Sequence, residues 1–120
     1  MRSRRGIRLA GLLVLVLTIT STGCRAGSAR SAADAAPATG VTGVVAKDLR
    51  FQPAAIQVPA GTEITWRFDD GSVPHNVKGD GFASRNRTKG SFAHRFERPG
   101  EYRYTCTLHA GMDGRVVVTG

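Results

Sequence analysis

The sequence predicts an all-β fold, a sandwich or small barrel, over residues 41–120. Three observations point there. Apolar residues alternate with polar ones in short runs, Pro, Gly, Asn and Asp clusters separate the runs, and no helical period is sustained after residue 23. A chain of 120 residues, shortened further by loss of a leader, has room for one small core.

The leader comes first in the chain. Residues 1–23 have the order of an export signal: a basic start with Arg2, Arg4, Arg5 and Arg8, an apolar run over 9–20, then Ser21, Thr22 and Gly23. The apolar run is short for a bilayer span. Ser3-Arg4-Arg5 with Ile7 resembles a twin-arginine signal. Gly23-Cys24 resembles the bacterial lipobox, with Ser21 where that motif usually carries Leu. The resemblance implies lipidation at Cys24 and a membrane anchor. Residues 24–40, rich in Ala, Ser and Gly, bury too little apolar surface to order themselves and are expected to form a flexible tether.

From there the strands follow in turn. Val44, Leu49, Phe51, Ile56 and Val58 are expected in the first strands, and Pro59-Ala60-Gly61 turns the chain. Ile64, Trp66 and Phe68 then alternate strictly and mark a core face. Asp69-Asp70-Gly71 reads as a turn, followed by a loop holding His75. Residues 79–91 are polar and glycine-rich, with Arg85, Arg87 and Lys89 read as a solvated basic cluster. Phe92, His94 and Phe96 alternate next, Arg98-Pro99-Gly100 turns the chain, and Tyr102, Tyr104 and Cys106 share one face of a strand. Residues 116–119 close the sheet.

The chemistry gathers at the end of that penultimate strand. Cys106, His109 and Met112 recur at intervals of three, Cys-x2-His-x2-Met, and small Ala110 and Gly111 allow His109 and Met112 to fold back toward the thiol. Three donors leave a metal under-coordinated, and the further donor expected is His75 in Val73-Pro74-His75-Asn76-Val77. A thiolate, two imidazoles and a nearby thioether suit copper. Zinc sites normally do without Met.

These residues resemble the cupredoxins, the small blue-copper proteins, and among them the plastocyanin, pseudoazurin and amicyanin group. The short Cys-x2-His-x2-Met loop is most similar to that of amicyanin, and the resemblance extends over residues 41–120, including Ala60-Gly61-Thr62, Pro74-His75-Asn76 and Pro99-Gly100-Glu101-Tyr102. It implies a Greek-key β-sandwich with one type 1 copper at one end, held by His75, Cys106, His109 and Met112. It further implies that the Asn76 backbone amide donates to the Cys106 sulfur and that His109 is the ligand nearest the surface. His94 lies on a face with Phe92 and Phe96 and is read as a buried or edge histidine with a hydrogen-bond partner, outside the metal site.

The function implied is single-electron transfer between extracytoplasmic redox proteins, by a membrane-anchored monomer. A copper storage or delivery protein with the same ligands is the alternative, and a metal-free adhesion sandwich a third. An enzyme is not expected, because four protein ligands leave no open position for substrate. The formal charge is +8; without Arg2, Arg4, Arg5 and Arg8, 13 basic residues face 9 acidic ones, a balance of +4. That favours partners with acidic docking surfaces, whereas the absence of a basic helix interleaved with aromatics speaks against nucleic acid. Cys24 and Cys106 are not expected to pair.

Overall fold

A computed structural model describes Gly23 and residues 30–120. Apart from Gly23, the expected export segment lies outside the described residues, as does Cys24 with its expected lipid. In chain order the strands are β1 (Ala38–Thr39), β2 (Gly43–Lys47), β3 (Arg50–Gln52), β4 (Ala55–Pro59), β5 (Thr62–Phe68), β6 (Lys78–Gly79), β7 (Phe82–Ala83), β8 (Ser91–Phe96), β9 (Gly100–Thr105) and β10 (Asp113–Thr119).

They form a Greek-key sandwich of two sheets, one in the order β1-β4-β10-β9-β6-β7 and one in the order β3-β2-β5-β8. β5 shows why the sheets pack. Ile64, Trp66 and Phe68 are buried while Glu63, Thr65 and Arg67 face water, the alternation a half-buried strand requires. Trp66 is fully buried and its ring meets Phe82, Phe92, Phe96 and Tyr104, with centroids 5.3 to 6.4 Å apart. Truncating a ring so placed typically costs about 3–5 kcal/mol.

Three sequence expectations change. Leu49 is not a strand residue: it is 51% exposed and, with Asp48, makes the two-residue turn between β2 and β3. Both residues have positive φ, 52° and 56°. Positive φ at both positions is the type I′ geometry, whose twist matches the strands, and neither Gly nor Asn is there to advertise it. The 79–91 stretch contributes to the core, because β6 and β7 form a small hairpin that buries Phe82 against Trp66.

The third change concerns the tether. Residues 31–40 are part of the domain: Ser31 caps a 3-10 turn over Ala32–Asp34, Ala33 is fully buried, and β1 pairs in parallel with β4. Asp34 meets Arg103 at 2.7 Å, and Arg115 donates to the Ala35 carbonyl at 2.8 Å. Composition measures what a segment can bury within itself. Here the open edge of β4 and two arginines of the sheet supply the partners instead.

Tyr104 and Gly114 face each other across β9 and β10, and any side chain at Gly114 would run into the Tyr104 ring. The Tyr104 hydroxyl is buried without a hydrogen-bond partner among the described residues. Burial pushes its ionisation far above the usual tyrosine range. An unfolded chain releases this proton at about pH 10, while the folded one retains it. The folded state therefore has its full stability below that pH and loses it progressively above. Tyr104→Phe should leave neutral stability within about 1 kcal/mol and flatten this alkaline loss. Urea midpoints of the metal-free proteins at neutral and alkaline pH test it; equal alkaline losses in the two proteins would refute the assignment to Tyr104.

Candidate metal centre

β9 delivers the chain to one end of the sandwich, and β10 leads it away again. Between them residues 106–112 make a tight loop, closed by a hydrogen bond from the Cys106 amide to the Met112 carbonyl at 2.9 Å. The Met112 amide donates back to the His109 carbonyl at 3.3 Å, and the Thr105 hydroxyl donates to the Met112 carbonyl at 3.1 Å. Cys106 is a free thiol, buried at the mouth of the core. This continues the inward face of Tyr104, as period-two alternation requires.

His75 reaches the same place from the loop after β5. Its backbone exchanges both hydrogen bonds with Arg87, at 2.9 and 2.8 Å, which fixes the ring from behind. The Cys106 sulfur lies 3.9 Å from His75 Nδ1 and 3.5 Å from His109 Nδ1. All three donor atoms fall within 4.8 Å of one another. Two donors on one metal with bonds of about 2.3 Å to sulfur and about 2.0 Å to nitrogen, at about 120°, would stand about 3.7 Å apart. The observed separations bracket that value, so this donor set fits a single first-row metal ion.

Exposure divides the expected donors. His75 is fully buried, Cys106 and Met112 are nearly so, and His109 is half-buried with its neighbour Leu108 41% exposed. One imidazole thus reaches the protein surface. The others are sealed in, with the two histidine rings 4.9 Å apart.

Sequence reading missed Asp70. Taken as a turn residue, its carboxylate in fact accepts a hydrogen bond from His75 Nε2 at 2.9 Å. It also accepts from the Leu49 amide at 3.3 Å, which ties the β2–β3 turn to the site. The hydrogen bond from His75 holds the Asp70 carboxyl below the ordinary carboxylate range. This partner keeps the proton on Nε2 and leaves Nδ1 free to face the donor cluster. An acid close before a candidate donor histidine was a usable signal, masked by the stronger turn reading of Asp69-Asp70-Gly71.

Asn76 touches the ligand loop differently from the expectation. Among the described residues no hydrogen bond joins its amide to the Cys106 sulfur. Its carboxamide instead accepts from the Thr107 amide at 2.8 Å and donates to Thr107 Oγ1 at 2.7 Å and Asn86 Oδ1 at 2.8 Å. One short side chain laces three segments, because an amide carries donors and an acceptor together. His94 is apart from the donor cluster, as expected. Among the described residues it has no hydrogen-bond partner of the kind expected; it stacks on Phe82 at 4.9 Å and meets the edge of Phe96 at 4.8 Å.

A family model described as a cupredoxin-like domain matches residues 11–118. Amicyanin-alpha of Methylorubrum extorquens is 31% identical, across 93% of this chain and 99% of the relative. Chloroplastic plastocyanin of Tetradesmus obliquus is 34% identical, across 58% of this chain and 59% of the plastocyanin. Among solved structures, a purple cupredoxin from Nitrosopumilus maritimus superposes with a TM-score of 0.60 at 30% identity, covering 66% of this chain and 100% of that one.

Proposed function

The chain belongs to the cupredoxin family, and from that premise we propose that it carries single electrons between extracytoplasmic redox proteins through one type 1 copper held by His75, Cys106, His109 and Met112. The observation that carries this reading is the cluster of a thiol and two Nδ1 atoms within 4.8 Å, sealed on every side but that of His109. Copper bound there supplies a one-electron couple whose potential the ligand set tunes.

The residues around it have separable tasks. Cys106 binds as thiolate, the strong donor, and its sulfur is continuous with β9 through the backbone. His75, held between Asp70 and the Arg87 backbone, cannot swing away when the charge of the site changes. The Asn76 carboxamide fixes Thr107 and so limits how far the ligand loop moves. Little rearrangement on electron transfer is what a fast carrier needs. Met112, nearly fully buried at the loop's end, would supply a weak thioether donor to the metal. The half-buried His109 edge is the side on which a partner approaches.

Export and a lipid anchor at Cys24 complete the reading and rest on the sequence of residues 1–24. A cell-expressed protein recovered wholly from the soluble fraction would remove the anchor. The central test is a copper titration. One equivalent of Cu(II) should give intense visible absorption that bleaches on one-electron reduction and returns on reoxidation, and it should resist chelator. A colourless adduct would overturn the electron-carrier reading, and ready loss of copper to chelator would favour storage or delivery.

A further inference from the structure

The polar segment 84–90 is pinned to the His75 loop along its length. Besides the paired backbone bonds of His75 and Arg87, the Ser84 amide donates to the Val77 carbonyl at 2.8 Å and the Ser84 hydroxyl accepts from the Val77 amide at 2.9 Å. The same Asn76 nitrogen that donates to Asn86 also donates to Thr107, so this segment and the ligand loop stand one side chain apart. Its direction and distance from the site are therefore fixed.

Its charges are not used internally. Arg67, Arg95, Arg103 and Arg115 each pair with a carboxylate, whereas Arg85, Arg87 and Lys89, like Lys47, Arg50, Lys78 and Arg98 elsewhere on the domain, are exposed and, among the described residues, make no ion pair. The nearby carboxylates Asp69 and Asp70 are taken by Arg67 and His75, which leaves Asp48 in the β2–β3 turn and Asp113, directly after Met112, without an ion pair among the described residues. The ligand loop itself carries no charged side chain beside His109 and exposes Leu108. A small apolar contact over the electron exit, flanked on one side by three uncompensated positive charges, is the layout of a transient interface with electrostatic steering.

We propose that Arg85, Arg87 and Lys89 form the docking surface for an acidic protein partner, whose carboxylates bring it onto His109 and Leu108. This rests on the electron-transfer reading and adds the partner's chemistry and the side of approach. Charges carried on a segment tied to the His75 loop and, through Asn76, to Thr107 matter more than the same charges elsewhere, because fields between exposed groups fade within about 8 Å at physiological salt.

The test uses the full chain loaded with Cu(I), which is diamagnetic, and poly-L-glutamate as the acidic polypeptide probe. Backbone amide shifts should cluster in residues 84–90 and 107–111 and fade as salt is raised. Affinity should fall about tenfold or more in the Arg85→Glu/Arg87→Glu/Lys89→Glu variant, fall less in the corresponding Gln variant, and hold in Arg98→Glu, an exposed position in the turn before β9 at the opposite end of that strand. Shifts centred elsewhere, equal losses in the Arg98 variant, or tighter binding to phosphatidylglycerol vesicles than to the polypeptide would each overturn the proposal. Oxidation by hexacyanoferrate(III) separates the two readings: a protein that binds the probe as expected but exchanges no electrons keeps its docking surface and loses its assigned function.

Discussion

Cys106→Ser, loaded with Cu(II), is expected to lose the intense visible absorption completely while keeping the β-sandwich. A serine hydroxyl stays protonated at neutral pH and is a hard donor, so it provides neither the charge nor the soft sulfur that defines a copper-thiolate site. The fold does not depend on the sulfur. The loop is closed by the backbone bond from Cys106 to Met112, and the core is built by Trp66, Phe82, Phe96 and their neighbours. The metal-free variant should pay only for burying one hydroxyl, about 1–3 kcal/mol. His94→Leu is the matched control, because that ring packs on Phe82 and Phe96 and contributes no donor to the cluster. Visible spectra of both variants decide the matter: colour retained without Cys106, or lost without His94, would mean the ligands were assigned wrongly.

Asp70→Asn is expected to raise the reduction potential and weaken Cu(II) binding together. The carboxylate accepts from His75 Nε2 at 2.9 Å with only 17% of its side chain exposed, so its charge acts on the site through one imidazole ring. Asn can still accept that hydrogen bond, so the substitution isolates charge from geometry. Removing a negative charge destabilises the more positive oxidised state. Removing a unit charge one imidazole ring from the metal position should shift the potential on the order of 100 mV for one electron. Loss of an outer partner of a ligand histidine usually costs about 10–100-fold in affinity. Voltammetry and competitive Cu(II) titration of wild type and variant read the two effects. An unchanged or lowered potential would mean that Asp70 positions His75 without tuning the centre.

What was legible in the sequence was whatever is encoded at short range. β5 announces itself in the alternation of Ile64, Trp66 and Phe68, because a pleated strand sends successive side chains to opposite faces. Cys106, His109 and Met112 announce a metal loop because the loop is short enough for spacing alone to bring donors together. His75 was reachable only through its motif, being 31 residues from Cys106.

What only the tertiary structure decided are the contacts made across the sandwich. Residues 31–40 look like a tether by composition, yet they pair with β4 and meet Arg103 and Arg115, partners that no local pattern names. Phe82 looks like a lone aromatic in a polar stretch until the β6–β7 hairpin folds it onto Trp66. Asp70 passes as a turn residue until His75 turns its ring back toward it, and Arg85, Arg87 and Lys89 pass as solvated charges until the Arg87 backbone is found paired with that of His75. Sequence by itself determined the longer core strands and the donor types in the loop after β9, since both follow from periodicity and side-chain chemistry within a few residues. Tertiary structure decided the environment of the ligands, because hydrogen bonding and electrostatics depend on distances in space that chain order does not carry.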